Sequence, residues 1–549
     1  MSADSPGTDS LETGLLTGRL DVGLLADFPV RDAAERAAGD AWVARAEAFM
    51  AAHVPDPDEL DRTRALPDGL LDALRRDGFL TVSFGPELGG AGLSPYDVVR
   101  VIAAMARTSV PVGQVVAVQA GAGAGALYPA LPEGPLRDWV RDRVAGGALS
   151  GFGDTDHAGQ NNRLPKMTAT RSGDHYVLHG DKLYTANGPV ADLLAVSATV
   201  DGGIGVCFVD TASPGFSVES TVDFIGSGGL PSGALRFDGV RVPADRVLSG
   251  SEGQLRLPAA INAIAFRGRV YFAGASALAV ARNCLEWSRR FVSRRVVDGR
   301  PLGGYDRVQR MVARAMGDVY AMDAITRWSL IPGRWLETFL TRNVLTGTAW
   351  ALADRTVALL GGEGLETAAS KRRRGAPVLP AERALRDARG FRMAGNVDFR
   401  LDHQIAQLLL GRYYTDERPV VDPAAADLAG LDLGPRNRAH LAAVAEQTRR
   451  FASVYDEVTR ERPAEELFAD QEFLITSGRI AGELVAASAV LARAHGDARA
   501  QHLADVHLTA ARARLAGLWR DLSPDGAPAY GELSRAWLAG DGYEFLTTT

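Results

Sequence analysis

The spacing of hydrophobic positions changes twice along this chain. From Val30 to about Gly147 apolar residues recur every three or four positions, so Ala33–His53, Leu66–Asp77 and Asp97–Ala106 read as amphipathic helices. The turn Pro86-Glu87-Leu88-Gly89-Gly90-Ala91-Gly92 breaks them. Between about Ala148 and Leu248 the period falls to two. His175–His179, Leu193–Ser197, Ile204–Val209 and Ala234–Asp238 predict strands, with hairpin turns at Gly173-Asp174 and Asp201-Gly202-Gly203. From about Leu255 to Tyr414 the helical period returns in Ala273–Val297, Val308–Trp328, Leu340–Leu360 and Gly395–Tyr413. Asp422–Gly434, rich in Pro, Ala, Gly and Asp, reads as a linker. Beyond it, three amphipathic segments, Arg436–Arg460, Pro463–His495 and Ala498–Leu522, predict an appended helical domain.

The expected units are a mobile Ser/Gly/Asp/Thr-rich N-terminus (1–25), a helical domain (26–147), a β domain (148–250), a second helical region (251–420) and the appended helices (435–549). A length of 549 residues leaves room for two to four such units around a large core. The small-residue stretch Gly121–Ala126 lacks phosphate-loop spacing and predicts close helix packing.

Composition narrows the partners. A net charge of −7 argues against nucleic acid. The basic run Lys371-Arg372-Arg373-Arg374 is either a solvated loop or a clamp for a phosphorylated ligand or acidic carrier. Cys207 and Cys284 have no metal-type spacing, so no metal site and a reducing, cytoplasmic setting are expected. No signal peptide or membrane span is expected, since no apolar run approaches the length of a spanning helix.

Several motifs follow one another in order: Gly153-Asp154-Thr155-Asp156-His157-Ala158-Gly159-Gln160-Asn161, Gly180–Gly188, Phe237–Pro243, Arg294–Leu302, Tyr305–Gln309, Gly361-Gly362-Glu363-Gly364 and Arg386-Asp387-Ala388-Arg389. Together, over about residues 30–414, they resemble the acyl-CoA dehydrogenase superfamily. The resemblance implies an α+β, mainly α fold: an N-terminal helical domain, a central β-barrel-like domain and a C-terminal four-helix bundle, here with further helices appended. It also implies FAD, rather than FMN, between the β domain and the following helices, with a second subunit over its adenine end. A homodimer or homotetramer is therefore expected.

The cofactor set implied is Gly153, Asp154, Gln160, Tyr184, Ala186, Arg295, Asp306, Gly361 and Gly362. Tyr184 stands in the place of the family's flavin-facing Trp and can still stack. Ala186 stands where the family has a Thr whose hydroxyl bonds flavin N5, a bond alanine cannot make. Gln160-Asn161 replace a Ser/Asp pair. Arg295 keeps a cation for the pyrophosphate, Asp306 replaces a Gln, and Gly361-Gly362 let backbone amides approach phosphates.

One family residue is missing. The carboxylate that removes the substrate α-proton falls nine residues after Arg386 in the family, and here that position is Gly395. Some members carry it on the earlier long helix instead, but no Asp or Glu occurs from Gly253 to Leu285. The polar residues left as candidates are Asp398, three positions on and about 300° around a helix, Asn396, and the pair Asp154 and His157 near the flavin edge. Asp154, Asp156 and His157 also fit an Asx-type turn bonded to its own backbone, and Asp398 fits a helix-terminal residue.

Without the base, decarboxylation of a β-keto or malonyl-type acid, another side chain, or O2 as co-substrate must supply half of the chemistry. Monooxygenases and epoxyketone-forming enzymes related to this family offer the precedent. The expected substrate is a specialised-metabolite acyl or β-keto acid, free or carrier-bound. The competing expectation is a non-catalytic subunit of an active dehydrogenase, which would purify colourless. A relocated base on an ordinary acyl thioester is a further alternative.

Overall fold

A computed structural model describes residues 10–249, 259–422, 424, 426–522, 528–540 and 542–547. The period-two region forms one sheet of eight strands: β1 Ser150–Gly153, β2 Thr168–Ser172, β3 His175–Ala186, β4 Leu193–Val200, β5 Gly203–Asp210, β6 Phe216–Thr221, β7 Ser232–Pro243 and β8 Val247–Ser249. Their order is β6-β7-β3-β2-β4-β5-β8, with β1 lying parallel on β4. Alternation built it: Tyr176, Leu178, Leu235 and Phe237 point into one apolar core with Val196 and Cys207. The hairpins turn at residues 173–174 and 201–202, as the sequence predicts.

Helices flank the sheet on both sides in the chain, giving the α+β, mainly α class. The four long helices of the bundle are Ala275–Arg294, Asp306–Ser329, Trp335–Leu360 and Asp398–Arg412. A helix over Ala259–Arg269 runs into the first of them through a five-residue π-helical stretch, Val270–Gly274. The small-residue stretch does what its composition predicts. A Cβ on Gly268 would lie 2.1 Å from the Gly121 carbonyl oxygen, so the Val110–Gly121 and Ala259–Arg269 helices cross in backbone contact. That crossing sets where the next residue, Arg269, emerges.

Three expectations need correction. Residues 10–25 are not a mobile tail: Leu11–Thr17 and Val22–Ala26 are helices, capped by Ser10 and Asp21, whose leucines are buried. Their polar, Gly-containing composition hides a leucine set that packs on the C-terminal helices. Residues 1–9 lie outside the described part. The segment Pro463–His495 is two helices, Ala464–Ala469 and Gln471–Ala494, because Asp470 caps the second. Nor do the appended helices enclose a core of their own: one apolar cluster runs from Leu11 through Leu278 and Leu409 to Leu484 and Leu508. Two segments, Val110–Ala130 and Gln471–Ala494, are apolar and long enough to span a membrane by composition, but 94% and 83% of their apolar windows are buried inside the protein. They serve as core helices here.

Candidate functional site

Strand β3 is irregular where the family motif lies: its pairing with β7 shifts between Lys182 and Thr185. Tyr184 sits in that shift at φ +59, an uncommon conformation for an aromatic residue, and is 54% exposed. Its ring lies 5.8 Å from that of Phe224. Beneath it Lys182 is buried, with Nζ donating to the Asp154 carbonyl (2.9 Å) and to Ser197 Oγ (3.2 Å). Burial lowers the Lys182 pKa, and the nearby Asp154 and Asp156 oppose that.

The loop after β1 is thus anchored from below and open above. The exposed Asp154 carboxylate accepts from Ser197 Oγ (2.8 Å) and from Gln160 Nε2 (3.1 Å). Asp156 accepts from the backbone amides of Ala158 (3.0 Å) and Lys166 (2.6 Å), as an Asx turn does. His157 does not pair with Asp154 or Asp156. Its Nδ1 meets Asp181 Oδ1, which also accepts the His157 backbone amide at 2.8 Å. The reason is the sheet: Asp181 on β3 lies across from the loop, a proximity that sequence distance conceals.

Opposite this loop is the turn that carries Gly395. Arg342, fully buried on the Trp335–Leu360 helix, donates from Nη2 to the carbonyls of Phe391 (2.8 Å), Ala394 (2.7 Å) and Asn396 (2.9 Å), which fixes the turn. Gly395 has φ +69. A Cβ there would meet Cγ of Arg269 at 3.1 Å, and Arg269 Nε donates to the Gly395 carbonyl at 2.9 Å. So the position where the resemblance expects a carboxylate is lined by a guanidinium. Burial pushes the Arg269 pKa down to about 10, with Asp154 opposing. Its CZ lies 5.6 and 5.8 Å from the ring centres of Phe266 and Phe339.

Asn396, at φ +93, bridges the cleft: its Nδ2 donates to Asn161 Oδ1 at 3.0 Å, tying the turn to the β domain. Asp398 is not a free base. It opens the Asp398–Arg412 helix, pairs with Arg392 (Nε at 2.6 Å) and accepts the Phe399 amide at 2.8 Å.

The remaining expected cofactor residues form a second group. The Arg294-Arg295 segment and the Gly361–Gly364 turn meet through an ion pair of Arg294 with Glu363, leaving Arg295 exposed. A Cβ on Gly361 or Gly362 would meet nothing within 4 Å, so their backbone is open to approach. Asp306 is exposed and pairs with Arg310 at 3.0 Å. None of these residues bonds to Tyr184, Ala186, Gly153, Asp154 or Gln160. The fit to a flavin is therefore partial. An exposed strained aromatic and an open glycine turn beside a free-standing arginine suit its ring and phosphates, whereas Ala186 offers no side-chain donor.

Two motifs turn out to be structural. Lys371 is buried against the Leu379 carbonyl, Arg372 pairs with Asp56 (3.1 Å) and Asp58, and Arg374 pairs with Glu366, so the basic run is largely spent on internal contacts. Arg386 binds both oxygens of Asp61 (2.9 and 2.6 Å) and the Ile225 carbonyl (3.0 Å), while buried Asp387 accepts the Ser227 amide (2.6 Å). This tetrad joins helical domain, sheet and bundle. Sequence reasoning missed Arg269 and Arg342, and it named Asn161 only as half of a replaced pair, without its partner Asn396. The signal for Arg269 is present in the sequence, a cation in an apolar, acid-free stretch.

Comparison with known proteins bears on the family and the fold. Residues 38–133, 152–240 and 267–406 match the N-terminal, middle and C-terminal domains of acyl-CoA dehydrogenase. The chain is 30% identical over 445 residues to a protein of Mycobacterium tuberculosis named "Probable acyl-CoA dehydrogenase FadE10", covering 78% of this chain and 66% of that one. It is 29% identical over 361 residues to a 3-sulfinopropanoyl-CoA desulfinase of Advenella mimigardefordensis, covering 64% and 88%. The fold is that of an acyl-CoA dehydrogenase from Bacillus anthracis complexed with FAD, at TM-score 0.75 and 16% identity over 96% of this chain and 94% of that one. The appended helices thus fall within an architecture already seen.

Proposed function

The chain belongs to the acyl-CoA dehydrogenase family of flavin-dependent oxidoreductases, and on that premise we propose that it oxidises an acyl substrate without the family's carboxylate base. FAD is the cofactor, with its ring against Tyr184 and Ala186 and its phosphates toward Arg295 and Gly361-Gly362 of a second copy. The working form is a homodimer or homotetramer, which a mass measurement of the flavin-loaded protein checks. When bound, the flavin supplies a two-electron acceptor.

The observation that carries this reading is Gly395. It has no side chain, a guanidinium lies against it, and the nearest carboxylate, Asp398, is held by Arg392. Both oxygens of that carboxylate are engaged, one by Arg392 and the other by the Phe399 amide. The electron pair at the substrate α-carbon then needs another source. Loss of CO2 from a β-keto or malonyl-type acid breaks the C–C bond and leaves the pair on that carbon, so no proton is removed there. O2 is no source of that pair; as co-substrate it would take up the two electrons that the flavin, when bound, accepts from the substrate or from an external reductant. A relative named as a desulfinase shows that family members of this similarity carry names for chemistry other than simple dehydrogenation.

The test is turnover of straight-chain acyl-CoAs with an artificial electron acceptor. General-base catalysis is worth about 10²–10⁴-fold, so rates lower by that order than an ordinary member's are expected, with CO2 release or O2 uptake on an activated acid. Ordinary rates, unchanged by Asp398→Ala and Asp154→Ala, would sink the proposal. Purified protein unable to hold flavin would favour a non-catalytic subunit.

A further inference from the structure

We propose that the appended C-terminal helices hold a ligand site of their own, a trough between the Pro435–Glu461 and Ala498–Leu522 helices that binds a slender amphipathic acid. The alkyl chain of that acid lies along the trough and its carboxylate meets Arg450 and Arg512. Every residue lining the trough falls between His440 and Trp519 in sequence, so it shares none with the cleft at the Gly395 turn.

Three observations carry it. The first is shape. The two helices run side by side in the same direction: His440 Nε2 meets Asp505 near their starts (3.0 Å), and Arg450 lies over the Trp519 ring further along (4.1 Å). Between those contacts they part over a cavity of about 220 Å³. Val444, Leu508 and Leu515 give it apolar walls, and Ala443, Ala487 and Ala511 stand where larger side chains would close it. Apolar cavities of about 150 Å³ already accept a molecule the size of benzene. From His440 to Arg450 the helix rises about 15 Å, so the space is long and narrow and suits a chain better than a ring.

The second observation is a packing cost. His440 Nδ1 and Trp519 Nε1, one at each end of the trough, are buried with no hydrogen-bond partner. Interiors are closely packed and their polar groups are paired, so these helices give up stability along this line. The third is charge. Arg450 and Arg512 are exposed at the mouth, and among the described residues neither has an ion pair or a hydrogen bond. Glu446 is the one acid that lines the trough. The mouth is therefore net positive. A guanidinium edge matches a carboxylate in a two-point pairing, while the chain gains by leaving water.

The test uses three ligands with one chain and three heads. The full-length protein is titrated calorimetrically with decanoate, 1-decanol and decylammonium. Decanoate is expected to bind roughly tenfold or more tightly than the alcohol, and the ammonium most weakly. Arg450→Gln with Arg512→Gln should remove the preference for the acid. Ala516→Leu, at the exposed rim, should narrow the trough and weaken decanoate several-fold with the far-UV circular dichroism unchanged. Decanoate binding weaker than about 1 mM, or no tighter than decanol, overturns the proposal. So does a preference for the acid that survives the double substitution, as an acyl site elsewhere in the protein would give. Binding that appears only once residues 528–549 are deleted overturns it too, and would assign the trough to the exposed helix Tyr530–Leu538.

Discussion

Two regions of this protein bury arginines in opposite ways. Where the C-terminal helices lie on the bundle, Asp318 is 2% exposed and takes Arg314 (3.1 Å), Arg355 and His507 (3.0 Å) together. Burial alone would raise its pKa. The hydrogen bond and charge of His507, with Arg314 and Arg355, outweigh burial and hold it at about 2. Nearby, Arg493 crosses from the Gln471–Ala494 helix to Asp323 at 2.8 Å. At the Gly395 turn, Arg269 has no such partner among the described residues, and burial prevails, lowering its pKa to about 10. The first region spends its charges on holding the C-terminal helices in place. The second sets Arg269 and Arg342 on neutral oxygen acceptors.

The largest effect should come from breaking the matched region. Asp318→Ala strands His507 and two guanidiniums and is expected to cost about 3–5 kcal/mol in chemical denaturation. Because the folded pKa lies below the unfolded value, the stabilisation is complete above about pH 4 and is lost as pH falls toward 2. The variant should be flatter in that window. A loss under about 1 kcal/mol would mean the two regions do not differ as described.

An intermediate effect is expected at the turn. Gly395→Glu puts a side chain at φ +69 and a Cβ 3.1 Å from Arg269. It should destabilise by about 1–2 kcal/mol and should not confer ordinary turnover of butyryl-CoA, since the new carboxylate is captured by the guanidinium. Appearance of that turnover would show the scaffold still poised for the family's base.

The smallest change should be Arg269→Gln in ligand-free protein. Removal of this charge breaks no ion pair and costs at most its hydrogen bond to the Gly395 carbonyl, so stability should fall by no more than about 1 kcal/mol. A loss comparable to that of Asp318→Ala would assign Arg269 a structural task and remove the contrast.

How much was legible follows from how local each signal is. The strands around Leu178, Val196 and Phe237 could be read because one buried face imposes alternation on contiguous residues. Gly121–Ala126 was readable as a close approach, since only small residues permit one. The helices of residues 10–25 were missed because their partners lie in the C-terminal half, as with Leu11 bonding Glu337 at 2.7 Å. His157 was assigned to the acids beside it in sequence, and its partner is Asp181 on another strand. The basic run looked free because Asp56 and Asp58 are some 300 positions away.

By itself the sequence determined the α, β, α order and that position 395 carries no side chain, since a side chain missing from Gly395 is missing in every conformation. What lies against that position was decided by tertiary structure alone. A charge responds to whatever lies within a few ångströms, and folding brings residues such as Arg386 and Asp61 together across a separation of 325 positions. The same geometry pairs Arg392 with Asp398, sets Arg342 on the carbonyls of Phe391, Ala394 and Asn396, and lays Arg269 against the Gly395 carbonyl.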